Sequence, residues 1–213
     1  MIDAVVFDLD GVIVDSEQVW DEVRERYTHE VGGTYTESAA RDMMGMSSHE
    51  WSRYMSEHLG VPGTPEEINA EVVRRMLARY GEHPPLIPGA VDAVRRIAAR
   101  WPLAIASSSN PELISVVVAA AGLEGVFPVL VSSQEVARGK PSPDVYLEAA
   151  RRLAVAAADC GAVEDSHNGI RSAKAAGMFV VAVPNPHYPP DPEAMAQADV
   201  VLGSIAELTP ETF

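Results

Sequence analysis

Few residues in this chain of 213 can be cross-linked or can carry positive charge: it has one cysteine, two lysines and an aromatic content of 6%. The lone cysteine, Cys160, excludes an intrachain disulfide, and with no CxxC or Cys/His spacing around it, it reads as buried filler. Long apolar runs are also missing: the longest, at 113–123, falls well short of the ~20 residues that span a bilayer, so no membrane partner is expected. Basic residues number 16 against 31 acidic ones, a formal net charge of -15, with a pI near 4.7. That balance argues against nucleic-acid or anionic-membrane partners, and most of the acids read as a solvated surface. No basic leader precedes the apolar stretch at 4–7, so the expected location is the cytoplasm.

What is present is a hydrophobic fraction of 47%, enough for one sizeable core with a smaller satellite, which excludes disorder. Short β-branched runs bounded by turn residues recur at 4–9, 103–107, 129–132, 161–164 and 179–183, with a weaker one at 199–202. They predict strands apolar on both faces, as in a parallel sheet. Helix-period segments at 90–100, 112–121, 143–153 and 168–176 lie between the later strands. Pro111 and Pro143 suit first turns, and Gly122 and Gly177 suit helix ends. The alternation predicts an α/β fold, a doubly wound parallel sheet of Rossmann type with right-handed crossovers. Between the first two strands, only helical runs occur, such as 17–29 and 66–80. That is too much chain for one crossover, so residues 15–84 read as an inserted helical domain and residues 1–14 with 85–213 as the core. The Pro-rich return at 84–88 and the adjacent exit at 14–16 make two neighbouring tethers.

In such a sheet, ligands bind beyond the carboxyl ends of the strands. Those ends carry Asp8, Asp10 and Gly11; Ser107, Ser108, Ser109 and Asn110; Gly139 and Lys140; and Glu164, Asp165 and Ser166. Asp8 and Asp10 would point to one side if the strand stayed extended through both. Carboxylates brought within ~5 Å would repel by about 3 kcal/mol per pair at an effective dielectric near 20, so the set Asp8, Asp10 and Asp165 calls for a cation. Oxygen donors without His or Cys indicate Mg²⁺. Lys140 is notable because the chain otherwise uses arginine, fourteen times, and has only Lys174 besides. A compact ammonium suits a place between a carboxylate and a phosphoryl oxygen. Ser107, with the following backbone N–H near a helix start, offers an anion site.

The stretch DLDGVIVDSE at 8–17, Ser107, GKPSPD at 139–144, and VEDS at 163–166 with Asn168, Gly169 and Ile170 resemble the four motifs of the haloacid dehalogenase superfamily. The spacing is similar to its branch with a helical cap, which holds β-phosphoglucomutase and many sugar phosphatases. The resemblance implies that Asp8 is a nucleophile forming an aspartyl-phosphate and that Asp10 is the acid/base. It places Mg²⁺ on Asp8, the Asp10 backbone carbonyl and Asp165, with Glu164 a ligand or outer partner. Ser107 and Lys140 would bind the phosphoryl group, and Gly11 would permit close backbone approach. Cap candidates for the substrate, a small phosphorylated metabolite, are Trp20, Met46, Ser47, Ser48, His49 and Trp51, with Ser108 on the core side. A monomer or weak homo-oligomer is the expected assembly.

Three other readings compete. A receiver-type signalling domain would not carry its phosphoacceptor on the first strand, and dehalogenation would not need Asp10 or the metal set. A phosphomutase fits less well because Trp20 stands where a His is expected and Ser48 where a cap Arg is expected. Near Gly45, Met44, Met46, Ser47, Ser48 and His49 offer only the His as a cation. A phosphatase acting on a sugar phosphate is therefore expected. Replacing Lys140 with Ala should lower the rate at least ~100-fold, the scale of removing one preorganised donor from a charged transition state. Lys174→Ala should change little. Steady-state kinetics on both variants checks the contrast, and equal losses would contradict it.

Overall fold

The computed structural model describes residues 2–43, 46–81, 83–185 and 189–213. Six parallel strands, β1 (Ala4–Phe7), β2 (Leu103–Ser107), β3 (Val129–Ser132), β4 (Cys160–Glu164), β5 (Phe179–Ala182) and β6 (Val200–Val201), form one sheet in the order β3-β2-β1-β4-β5-β6. Every residue of β1, β2 and β4 is buried, which explains why their sequences are apolar without alternation. Strand β1 lies between β2 and β4, with Phe7 level with Ile105 and Val163. The strand order reverses on either side of it, and a crevice opens beyond its carboxyl end.

Helices cover both faces. Val5 and Phe7 join the core beneath α5 (Ala90–Ala98) and α6 (Pro111–Ala120), the fifth and sixth helices in chain order. Ala4 and Val6 face α7 (Asp144–Leu153) and α8 (His167–Ala175). Pro111 is a first-turn residue as its position predicts, whereas Pro143 falls at the cap of α7. Gly122 and Gly177 follow their helices with φ of 63° and 82°, the left-handed conformation that glycine tolerates best. Cys160 is fully buried, and burial pushes its thiol up to about 11. No helix among the described residues is long and apolar enough to cross a membrane.

Between β1 and α5 run four helices, α1 (Glu17–Glu30), α2 (Ala39–Met43), α3 (Ser48–His58) and α4 (Pro65–Tyr80). The patterns at 17–29 and 66–80 match α1 and α4 to within a residue. The shorter α2 and α3 complete the inserted segment. Their shared interior is made by Trp20, Val23, Met43, Trp51, Met55, Ile68, Val72 and Met76, all buried. The two connections to the sheet are bonded to each other: the Asp15 N–H donates to the Pro85 carbonyl at 2.8 Å and the Ile87 N–H to the Ile13 carbonyl at 2.9 Å.

One expectation fails here. The first strand does not stay extended to residue 9 but ends at Phe7, and the chain then curls. The Ile13 and Val14 N–H groups both donate to the Leu9 carbonyl, at 2.8 and 3.1 Å, and Gly11 takes a φ of 73°. Period-two alternation therefore stops before Asp10, and Asp8 and Asp10 are not presented as neighbours on one strand face.

Candidate active site

Asp8 begins the curl, and its backbone N–H still donates to the Val163 carbonyl at 3.0 Å, which holds it against the end of β4. Its carboxylate is 3.0 Å from the Lys140 ammonium, which lies 2.7 Å from Glu164. All three are buried, with residue exposures of 6%, 5% and 0% for Asp8, Lys140 and Glu164. Burial alone would lower the Lys140 ammonium, but the charges of Asp8 and Glu164 outweigh it and hold the ammonium above its ordinary value. Conversely, burial and the nearby Glu164 push the Asp8 and Asp165 carboxyls well above the usual carboxylate range. One carboxylate oxygen from each of Asp8, Glu164 and Asp165 lies within 4.8 Å of the others. Three buried oxygen donors whose ionised forms repel are a donor set that fits a hard divalent cation such as Mg²⁺.

The Asp10 carboxylate lies outside that cluster, a correction to the expectation that Asp8, Asp10 and Asp165 form it. The curl turns it toward hydroxyls. It accepts from Ser16 Oγ at 2.5 Å, Ser109 Oγ at 2.7 Å, Ser107 Oγ at 3.2 Å and Trp20 Nε1 at 3.4 Å. Ser107 is accordingly fully buried behind Asp10, and its oxygen also accepts the Ser109 N–H at 2.9 Å. Glu164 is engaged on both oxygens: Oε1 accepts from Lys140 and from the Tyr146 hydroxyl at 2.6 Å, and Oε2 from the Asp165 N–H at 3.1 Å and Ser166 Oγ at 3.2 Å. Tyr146 escaped the sequence reading because an aromatic on the inner face of a helix reads as core, which it also is.

Two glycines explain parts of the motifs. A Cβ on Gly11 would sit 1.8 Å from Asp165 Oδ2, and one on Gly169 would sit 1.9 Å from the Glu164 carboxylate. Close approach is therefore what Gly11 supplies. Its N–H donates to the Val14 carbonyl at 2.8 Å.

The pocket in front of Asp8 is lined by Asp10, Glu17, Trp20, Arg24, Met43, Met46, Trp51, Ser108, Ser109, Lys140, Asp165, Ser166, His167 and Asn168. Of the cap candidates, Trp20, Met46 and Trp51 are in it. Ser47, Ser48 and His49 line a wider groove beside it that reaches Lys140 from the other side. Ser47 opens α3 as a helix cap, with its hydroxyl and N–H both on Glu50, at 2.7 and 2.8 Å. Ser48 Oγ accepts from Gln134 Nε2 of the core at 2.8 Å. Met44 and Gly45 lie outside the described residues. Glu17 and Arg24 were missed: a charged residue on an amphipathic helix carries no mark in sequence of whether it faces solvent or a pocket. Burial, and next the charge of Asp10, push the Glu17 carboxyl up to about 7.

A parallel sheet with a curled loop after its central strand, ending in buried acids around one ammonium, is an α/β fold with a polar site at the carboxyl ends of its strands. The haloacid dehalogenase-like hydrolase family model matches residues 2–177, and the chain belongs to that family. It is 34% identical to a probable pseudouridine-5'-phosphatase of Drosophila melanogaster, over 98% of this chain and 92% of that one. It is 32% identical to hexitol phosphatase B of Escherichia coli K12, over 97% and 94%. Among solved structures, CbbY from Rhodobacter sphaeroides in complex with phosphate superposes with a TM-score of 0.86 at 28% identity, covering 98% of this chain and 96% of that chain. Family and relatives together place the chain among the phosphatases of the haloacid dehalogenase type.

The raised carboxyls yield a prediction for the metal-free chain. Between the ordinary carboxylate range and their folded values, Asp8, Asp165 and Glu17 keep protons that the unfolded chain has lost, so stability falls as pH rises through this window. Mg²⁺ needs the ionised forms and competes with those protons. At pH 8 and a concentration a hundredfold above Kd, Mg²⁺ should therefore raise Tm by about 5 °C or more, and by less at pH 5. Asp165→Asn should remove the shift. A thermal-unfolding series with EDTA or Mg²⁺ checks this, and an equal shift at both pH values would contradict it.

Proposed function

We propose that the chain hydrolyses a small phosphomonoester, a sugar or polyol phosphate, through a phosphorylated Asp8. The observation that carries this reading is the Asp8 carboxylate itself. It is buried at the carboxyl end of the central strand, 3.0 Å from Lys140, and faces the pocket. The phosphatase names of the relatives support the reaction class, and the hexitol phosphatase supports the kind of substrate.

In this reading the Asp8 carboxylate attacks phosphorus, the bond from phosphorus to the substrate oxygen breaks, and Asp10 gives that oxygen a proton. Asp10 then takes a proton from water as the water oxygen attacks the same phosphorus. Inorganic phosphate leaves and the Asp8 carboxylate is restored. Hydroxyls donate and accept, so Ser16, Ser107 and Ser109 hold Asp10 in place in either protonation state. Lys140, fixed by Glu164, neutralises charge on the transferring group, which is most of what phosphoryl transfer asks of a protein. Asp8, Asp165 and the Asp10 main-chain carbonyl would hold Mg²⁺, with Glu164 as an outer partner. Bound there, Mg²⁺ would supply further charge neutralisation.

Residues 15–84 act as the cap that selects the substrate and excludes water. Phosphomutase chemistry shares the first step and is not favoured, because the relatives above are named phosphatases. The test is Asp8→Asn, which keeps the shape and removes the attacking charge. Hydrolysis of p-nitrophenyl phosphate with Mg²⁺ should fall at least about 10³-fold. A folded, undeamidated variant working at the wild-type rate would overturn the proposal.

A further inference from the structure

Arg24, on α1, lines the pocket that contains Asp8 and is only 7% exposed. Its guanidinium carbon lies 4.7 Å from the Trp20 ring centroid and 4.8 Å from the Trp51 ring centroid, against two indoles that are themselves 5.8 Å apart. The indoles pack against part of the planar group and accept nothing from its N–H donors. Its Nε is buried with no hydrogen-bond partner. None of the ion pairs among the described residues involves Arg24. Of the acids whose charge reaches it, Glu17 acts most strongly but forms no ion pair with it; Asp21 accepts from the Tyr35 hydroxyl at 2.6 Å, and Asp10 is held by Ser16, Ser107 and Ser109. A desolvated guanidinium without an ion-paired or hydrogen-bonded partner is unfavourable in the free protein, and the cost is relieved when an oxyanion meets it. Glu17, two turns earlier on the same helix and lining the same pocket, offers an acceptor to a hydroxyl.

We infer that Arg24 is a specificity-determining residue that grips a second oxyanion at the far end of the substrate. The preferred substrates are then sugar phosphates bearing another anionic group, either phosphorylated sugar acids or sugar bisphosphates, rather than neutral sugar monophosphates. A fork of N–H donors fits carboxylate and phosphate alike, and both sources share that chemistry. The inference rests on the phosphatase reading only for the orientation of the substrate, with its reacting phosphate at Asp8.

The experiment is calorimetric binding to the full chain carrying Asp8→Asn, with Mg²⁺ present. Four probes are compared: 6-phosphogluconate, fructose 1,6-bisphosphate, glucose 6-phosphate and inorganic phosphate. The two double anions should bind roughly tenfold to a hundredfold more tightly than glucose 6-phosphate, the range expected for one charged hydrogen-bonding contact. Whichever of them leads identifies carboxylate or phosphate as the second group. Adding Arg24→Met should abolish that preference, and adding Arg24→Lys, which keeps the charge and loses the fork, should retain part of it. In the active chain, the ratio of kcat/KM between double anion and glucose 6-phosphate should follow the same order. A uniform weakening of all probes in Arg24→Met would mark Arg24 as a packing residue and overturn the inference. Equal affinities in the Arg24 chain, or no measurable binding of any probe, would overturn it too. Binding to the Asp8→Asn chain requires no hydrolysis, so this outcome is separable from a failure of the phosphatase reading.

Discussion

Lys140, Asp8 and Glu164 form a buried group of one cation and two anions in which no member can be placed without the others. Moving two carboxylates out of water against β1 and β4 would be prohibitive without an ammonium at 3.0 and 2.7 Å, because isolated buried charges carry penalties of several kcal/mol each. Those carboxylates in turn outweigh the burial that would lower the ammonium and hold it above its ordinary value. Removing Lys140 therefore leaves two buried carboxyls with oxygens within 4.8 Å of each other and no cation on them, and removing Glu164 releases the lysine from its position. The hydroxyl of Tyr146, 2.6 Å from Glu164, and the absence of a side chain at Gly169 let this group close. Much of the neighbouring sequence is explained by fitting around it.

The sheet makes the arrangement possible by bringing together ends that are far apart in the chain. Parallel pairing of β1 with both β2 and β4 sets Phe7 level with Ile105 and Val163, so the residues that follow each strand emerge into one crevice. The curl after β1 then separates two functions that lie two residues apart. Asp8 stays with the buried charges, while Asp10 swings to the serines beyond β2. One carboxylate is thus held by a cation and the other by hydroxyls, an asymmetry suited to a nucleophile and an acid/base respectively.

How much of this was legible in the sequence depended on which physical signal each residue leaves. Buried parallel strands leave long apolar runs, so β2 and β3 were read to the residue and the others to within two. The polar ends of those strands were visible for the same reason, and Asp8, Lys140 and Asp165 stand where the motifs put them. The direction of the Asp10 carboxylate was not legible, because it depends on a loop with a left-handed glycine rather than on alternation. Gly11 was read as permitting close approach, and a Cβ there would sit 1.8 Å from Asp165; that Ser47 also caps α3 through Glu50 was not legible. Arg24 and Tyr146 were missed because a helix surface looks alike in sequence whether it meets solvent, core or pocket. Only the contact of Trp20 on α1 with Trp51 on α3 shows that Arg24 lies against both indoles and in the pocket.

The central claim is that the phosphoryl group passes through Asp8, and the most direct measurement looks for it there. The wild-type chain is mixed with Mg²⁺ and a turning-over phosphomonoester, quenched in acid within a single turnover, digested and analysed by mass spectrometry. The account predicts a phosphoryl adduct on the peptide containing Asp8, absent without substrate and lost on mild base treatment as an acyl phosphate should be. An adduct on the serines at 107–109, or complete turnover with no adduct at any quench time, would contradict it.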